Sequence, residues 1–257
     1  MIRSAFGYVP WARILATGTF GALALGAVFA LARPDLMMVE QVVFDGQSRA
    51  TVAELRHLMD LRNGTAPWEV DADALARAVE RHPWVRSATV ELRWPSELRV
   101  SVDERQAVAL LRDGDDLLYV DDLGVPFLRA AGGDLDLVHL TGMGSELDEL
   151  HPDLAPRAIR DALWLAGTLD REGLVARDRV SEVVFSRTSG FLVLTDRARL
   201  AFGPADLPAQ VERLSVLVHQ GLSLEEPRYV DLAPASVAIV RRLDTDIVLP
   251  TPAPQGG

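Results

Sequence analysis

Two amino acids that often carry chemistry are missing from this chain. Its 257 residues contain no cysteine, and all 26 lysine-or-arginine positions are arginine. The lack of cysteine excludes disulfides, thiolate metal sites and a cysteine nucleophile. The lack of lysine excludes a P-loop lysine, a Schiff-base lysine and a lysine general base. The net charge of −11 argues against nucleic acid as a partner, because nucleic-acid binding needs a basic face.

The longest uncharged run lies near the N-terminus. Residues 14–32 carry no charge and are bracketed by Arg13 and Arg33. A helix of that length is roughly 28 Å long, close to the hydrocarbon thickness of a bilayer. Basic residues precede the run and acidic ones follow it, so we predict a cytoplasmic tail at 1–13, a transmembrane helix at 14–32 and a periplasmic remainder. A cleaved signal peptide is the alternative, because Ala30-Leu31-Ala32 resembles a cleavage site, although signal peptides have shorter apolar cores.

The next part of the chain, residues 37–104, predicts the order β-α-α-β-β. After a first strand, Thr51 opens a helix and Glu54 stands at the spacing of a capping box. Asp71 or Asp73 caps a second helix, which ends before a proline. From Arg86 onward apolar and polar residues alternate along the chain, and this pattern indicates two consecutive strands.

Residues 105–243 predict a second unit of mixed or antiparallel strands with two helices. The helices are expected from about Pro152 to Glu172 and after Gly203-Pro204, and the Pro/Gly-rich tail at 244–257 is expected to be disordered. Two aspartate-rich sequences separate the first strands: Asp113-Gly114-Asp115-Asp116 and Asp121-Asp122-Leu123-Gly124. They lack the ligand spacing of a calcium loop, so we interpret them as turns.

No catalytic motif is recognisable in the chain. The five histidines lack the spacing of metal ligands, and neither a nucleophile elbow nor a glycine-rich nucleotide loop occurs. The adjacent Glu104 and Arg105 are interpreted as an ion pair at a strand end. We therefore expect no catalytic, cofactor or metal site and no small-molecule substrate. Protein binding remains, because the edge strands of a sheet can accept a partner strand.

The run from His82 to Leu111 carries a family resemblance. It contains, in order, Pro83-Trp84-Val85, a strand, Trp94-Pro95, a second strand, and Val102-Asp103-Glu104-Arg105 before an apolar strand. This order resembles the POTRA domain of the FtsQ/DivIB family of cell-division proteins. Three later sequences are similar to the family's β domain: Leu140-Thr141-Gly142, Ala201-Phe202-Gly203 and Tyr229-Val230-Asp231-Leu232. The resemblance implies an α+β protein with a single N-terminal transmembrane helix, a POTRA domain at 37–104 and a β domain at 105–243.

The same resemblance implies a function without catalysis. Members of the family are inner-membrane scaffolds that link early and late division proteins at the septum and help assemble the septal peptidoglycan machinery. Their last strands recruit the single-span proteins FtsB and FtsL, and the POTRA region and anchor contact FtsK and other division proteins. Carried over to this chain, the binding edge runs from Asp231 to Arg242. Its implied contact residues are Asp231, Leu232, Pro234, Ser236, Ala238, Val240, Arg241 and Arg242.

The chain departs from the family pattern within that edge. Ala233 and Pro234 stand where the family often has an arginine and an aromatic residue, so we hypothesise that Arg241 and Arg242 supply the positive charge. The competing interpretation is that this segment is only core sheet. Two other functions stay open on the sequence: a POTRA component of outer-membrane protein assembly or secretion, and an envelope enzyme acting on peptidoglycan.

Overall fold

The computed structural model describes residues 39, 41–62, 65–93, 96–130 and 136–243. It divides into two compact units, the first ending at Glu104 and the second beginning at Arg105. The predicted cytoplasmic tail, transmembrane helix and C-terminal tail lie outside the described residues. None of the helices described is long and apolar enough to cross a membrane.

The first unit contains three strands and two helices in its described part. These elements are β1 (Gln41–Asp45), α1 (Val52–Met59), a 3₁₀ turn (Pro67–Glu69), α2 (Ala72–Val79), β2 (Val85–Arg93) and β3 (Glu97–Glu104). Strand β3 lies in the middle of the sheet, parallel to β1 and antiparallel to β2. The alternating residues Leu98, Val100 and Val102 turn inward to a core shared with Leu55 and Val79 of the helices. The predicted β-α-α-β-β order is confirmed.

Local capping sets where the two helices of the first unit begin. The Thr51 hydroxyl accepts a hydrogen bond from the Glu54 N–H at 3.3 Å, and the Glu54 carboxylate accepts one from the Thr51 N–H at 2.9 Å. This is the predicted capping box. At α2, Asp71 is the cap, since its Oδ1 accepts from the Ala74 N–H at 2.9 Å. Asp73 lies in the first turn, where a negative charge favours the helix dipole.

The interpretation of Glu104 and Arg105 as an ion pair is wrong, because each side chain is bonded within its own unit. The Glu104 carboxylate accepts three backbone N–H bonds, from Ser48 at 2.9 Å, Arg49 at 2.9 Å and Ala50 at 2.8 Å. It therefore fixes the chain just before α1 against the end of β3. Burial raises the pKa of the Glu104 carboxyl, but these bonds outweigh that effect and hold the pKa below its ordinary value of 4.5.

The Glu104 contacts predict an acid-sensitive first unit. A carboxyl whose pKa is depressed by folding contributes stability above about pH 4.5, and this contribution is lost as the pH falls through the folded-state value. Glu104→Gln is expected to lower the free energy of unfolding by about 1 kcal/mol at pH 7, a figure reduced for solvent screening of a half-buried side chain. The difference from the unsubstituted protein should shrink between pH 5 and about pH 3, as measured by hydrogen exchange of α1 and β3 amides. A difference that is constant with pH would contradict the role assigned to the charge.

The second unit is built on a nine-stranded sheet in its described part. Its strands are β4 (Ala107–Asp113), β5 (Asp116–Asp121), β6 (Pro126–Arg129), β7 (Val138–Thr141), β8 (Val180–Ser186), β9 (Gly190–Thr195), β10 (Ala198–Phe202), β11 (Arg228–Asp231) and β12 (Ile239–Arg242). The strand order is β12-β11-β10-β9-β8-β7-β4-β5-β6. Three neighbouring pairs, β4/β7, β7/β8 and β10/β11, are parallel and the others are antiparallel. The sheet is therefore mixed, as the sequence allowed.

Three helices accompany this sheet in the described residues, one more than predicted. They are α3 (Ser145–Leu150), α4 (Leu154–Arg171) and α5 (Leu207–His219). The buried residues of α4 recur at helical spacing and join the core of the unit: Ala158, Ile159, Ala162, Leu165 and Leu169. Helix α5 begins later than expected from Gly203-Pro204, because the Asp206 side chain accepts from the Ala209 N–H and caps it. The unforeseen α3 begins where the Ser145 N–H donates to Asp113 Oδ1 at 2.7 Å.

A buried ion pair fixes the turn that follows β5. Asp121 is fully buried, and its Oδ2 lies 2.7 Å from the Nη1 of Arg105, which is 24% exposed. Asp121 Oδ1 accepts from the N–H groups of Leu123 at 3.0 Å and Val125 at 2.9 Å. This aspartate-rich sequence is thus a hydrogen-bonded turn, as predicted. In the part of the chain that the structure describes, no three histidine, aspartate or glutamate residues are grouped to hold a metal ion.

Candidate partner-binding edge

The last strand, β12, lies at one edge of the nine-stranded sheet. It pairs on one side with β11, in antiparallel register, and within the described residues no strand pairs with its other side. All four of its residues are exposed. The unpaired edge of such a strand presents a row of backbone N–H and C=O groups and can accept another strand.

The hydrogen-bond pattern shows which backbone groups of β12 face outward. The Leu243 N–H donates to the carbonyl of Pro227 at 2.9 Å, so these opposed residues form a hydrogen-bonded pair. In an antiparallel ladder, hydrogen-bonded and non-hydrogen-bonded pairs alternate. Arg241 and Ile239 therefore direct their backbone groups to β11. Val240 and Arg242 direct theirs away from the sheet, toward the place of an added strand.

Each face of β12 presents one apolar residue and one arginine. On one face Arg241 lies opposite Tyr229, and Ile239 lies opposite Asp231. Burial and the Asp231 charge raise the pKa of the Tyr229 hydroxyl, and the positive charge of Arg241 acts in the opposite direction. On the other face Val240 lies opposite the fully buried Val230 but is itself 38% exposed. On this second face an added strand would meet Val240 and Arg242.

Positive charge gathers at this edge of an otherwise acidic chain. Arg242 lies opposite Arg228 in the ladder, and the Arg228 Nη2 bonds the Glu226 carboxylate at 2.7 Å. Arg241 and Arg242 have no ion pair with any of the described residues. Like charges opposed on neighbouring strands repel each other, and a carboxylate brought by a partner would offset this.

The structure separates the eight implied contact residues into four groups, of which the last is Leu232 alone. Val240, Arg241 and Arg242 lie on β12 itself, whereas Pro234, Ser236 and Ala238 belong to the connection that precedes it. Asp231 ends the inner strand β11.

Leu232 is the implied contact that the structure contradicts. Its side chain is 0% exposed within the core, and its N–H donates to the carbonyl of Ala201 at 2.8 Å. A partner cannot reach it in the folded unit, so the continuous edge expected from Asp231 to Arg242 reduces to β12 and the residues just before it.

Two exposed apolar residues at this edge were missed in the sequence. Val237 is 56% exposed and Ile239 is 37% exposed. The contact residues implied by the family resemblance include neither of them. The signal that could have found them is the uninterrupted apolar run from Val237 to Val240. An apolar run that is exposed in the folded domain often marks an interaction site.

A second feature of the described part of this unit is a cleft that lies away from β12. An open cleft of about 740 Å³ lies beside the ends of β7 and β8 and is lined by Arg112, Asp113, Thr141 and Arg187 among others. Its Asp113 carboxylate is already bonded to the hydroxyl and N–H of Ser145, and these bonds lower the pKa of Asp113. This carboxylate therefore anchors α3.

Comparison with known proteins bears on the family of this chain. The family model of the FtsQ-type POTRA domain matches residues 37–105. The cell division protein FtsQ of Anaeromyxobacter sp. (strain K) is 37% identical over 210 residues, which cover 75% of this chain and 71% of that protein. The chain belongs to the FtsQ family of cell-division proteins. The FtsQ proteins of Myxococcus fulvus and Syntrophotalea carbinolica are 35% and 29% identical, and the matches cover 69% and 82% of this chain and 62% and 80% of those proteins.

Membership of the FtsQ family rests on more than the POTRA region. These three matches extend well beyond the POTRA region. The resemblance drawn from Pro83-Trp84-Val85 and the residues after it is thus confirmed. The function that follows from family membership is a role in cell division, carried out as a scaffold.

Proposed function

We propose that this chain is a non-catalytic scaffold of the division machinery that binds a partner strand along β12. The observation that carries the proposal is the free edge of β12, where Val240 and Arg242 direct their backbone groups outward. Backbone hydrogen bonds supply affinity in such strand addition, and the neighbouring side chains supply specificity. The alternatives of outer-membrane assembly and peptidoglycan hydrolysis gain no support from the matched relatives, which are named as division proteins.

The chemistry of the edge favours an acidic and apolar partner segment. Arg241 and Arg242 attract carboxylates, and Ile239 and Val240 offer apolar surface. We assign this segment to FtsB- and FtsL-like single-span division proteins, as the family resemblance implies. In the same proposal the POTRA unit contacts FtsK-like and other division proteins, and residues 14–32 anchor the chain in the inner membrane with its N-terminus in the cytoplasm.

The test of the proposal is Val240→Pro. Proline removes the one N–H that Val240 directs at the partner, while an edge strand tolerates proline where that N–H faces solvent. We expect the purified protein to bind a peptide of the periplasmic segment of the host's FtsB-like protein at least about tenfold more weakly, as expected for a lost hydrogen bond of about 1.4 kcal/mol. Fluorescence anisotropy of the labelled peptide measures this, and circular dichroism verifies the fold.

Val240→Ala is the matched control, because it shortens the same side chain but keeps the N–H. We expect its affinity to stay within about threefold of the unsubstituted protein. In cells depleted of the native chain, Val240→Ala should restore septation and Val240→Pro should leave filaments without septa. Equal binding by a folded Val240→Pro protein would refute strand addition at β12. Normal septation with loss of outer-membrane proteins on depletion would instead favour the assembly alternative.

A further inference from the structure

We infer that Arg213, on α5, is a positioning residue that holds β12 ready to receive its partner. The inference rests on the proposed function of β12 but concerns a residue that lies outside the edge. Its basis is a set of contacts between one guanidinium and the connection between β11 and β12, residues 232–238.

Arg213 donates to three carbonyl groups of that connection. Its Nη2 donates to the carbonyls of Leu232 and Pro234, and its Nη1 donates to that of Ala235 at 3.2 Å. A guanidinium is planar and always charged, so it can serve several acceptors in one fixed arrangement. The Nε of Arg213 is buried and has no hydrogen-bond partner among the described residues. All three contacts with the connection are therefore made by the two terminal nitrogens. One side chain thus fixes the backbone of the connection at Leu232, Pro234 and Ala235.

The connection has few other hydrogen bonds of its own. The Leu232 N–H donates to Ala201, and the Ala233 N–H donates to the Asp231 carboxylate at 3.0 Å. Pro234 has no N–H to donate. Ala233 packs against Gly203, where an added Cβ would lie 3.3 Å from it. Without the N–H groups that Arg213 donates, these three carbonyls would depend on water, so removing the guanidinium releases the segment that leads into β12.

The strand that follows cannot hold its place by packing. All four β12 residues are exposed, and the strand has only four ladder pairs with β11. Helix α5, in contrast, is fixed by its buried residues Val211 and Leu214. Arg213 transmits that rigidity to the edge. Binding to a pre-ordered strand avoids the entropy cost of ordering it, so the same contacts give a higher affinity.

The experiment compares Arg213→Gln with Arg197→Gln in the full chain. Arg197 lies exposed in the turn between β9 and β10, and its side chain has no hydrogen bond or ion pair with any described residue, so its replacement changes the charge equally. Two quantities are measured: hydrogen exchange of the β12 amides in the free protein, and affinity for the peptide of the FtsB-like periplasmic segment.

For Arg213→Gln we expect β12 exchange to be at least about tenfold faster, exchange in β8 and β9 to be unchanged, and affinity to fall about tenfold. Arg197→Gln should change neither quantity. Should Arg213→Gln fail to fold, Arg213→Lys takes its place, because it keeps the charge but replaces the two separated terminal nitrogens of the planar guanidinium with a single ammonium nitrogen.

The outcomes separate this inference from the proposed function. If the unsubstituted protein does not bind the peptide, the proposed function fails. If it binds, but either β12 exchange or affinity is unchanged in the Arg213 variant, the positioning role is refuted. Faster exchange across β8 and β9 as well as β12 would also refute it, because Arg213 would then stabilise the whole unit rather than the edge.

Discussion

Replacing Asp121 by alanine is expected to cost about 3 kcal/mol or more in the free energy of unfolding of the second unit. The reason is the number of groups that one fully buried carboxylate satisfies. It pairs with Arg105 at 2.7 Å and accepts the N–H groups of Leu123 and Val125. Removing one member of a buried pair leaves the other charge desolvated and uncompensated, which costs more than the pair contributes in net terms. The unsatisfied N–H groups of the turn add to this.

Asp121→Asn separates the two contributions. The amide oxygen can still accept from Leu123 and Val125, while the amide N–H₂ faces the Arg105 guanidinium with no charge to offer. We therefore expect a loss intermediate between the unsubstituted protein and Asp121→Ala. Urea unfolding followed by hydrogen-exchange mass spectrometry reports on the second unit separately. Asp115→Asn, in the exposed β4–β5 turn, is the control and should stay within about 0.5 kcal/mol. If Asp121→Ala behaved like that control, the ion pair would have no structural role.

These contacts also show where prediction from the sequence succeeds. The Thr51–Glu54 capping box and the Asp71 cap depend on residues three positions apart, so the sequence contains everything that sets them. The same holds for the alternation along β3, which decides the inward face from local order alone. Helix starts, strand faces and the β-α-α-β-β order of the first unit were therefore predictable.

Features set by distant residues were not predictable in this way. Arg105 was assigned to its neighbour Glu104, but its partner is Asp121, at the end of β5. Helix α3 was missed because its first turn is anchored by Asp113, far back along the chain. The edge was expected to begin at Asp231. However, β11 lies inside the sheet, because it pairs with β10 on one side, in parallel, and with β12 on the other, in antiparallel register. The contacts that Arg213 makes with the connection before β12 also join residues that are far apart in the sequence.

The second large expected effect concerns Gly142, which directly follows β7. Its φ is +81°, a conformation that residues with a Cβ rarely adopt. A Cβ at this position would lie 2.3 Å from the carbonyl oxygen of Phe185 on β8, much closer than any real contact. We expect Gly142→Ala to cost about 3 kcal/mol in the free energy of unfolding of the second unit, from backbone strain and from the displacement of β8 together.

Gly173→Ala isolates the part of this cost that comes from backbone conformation. Gly173 follows α4 with φ +66°, but nothing lies within 4 Å of where its Cβ would be. We expect it to cost about 1 kcal/mol, the strain of a left-handed alanine alone. Thermal unfolding of both variants, with hydrogen exchange of β7 and β8 as the local readout, measures the difference. Equal losses would mean that Gly142 is required only for its φ angle. A clearly larger loss at Gly142, with faster exchange in β8, would show that glycine is needed there because two neighbouring parallel strands approach too closely for any side chain.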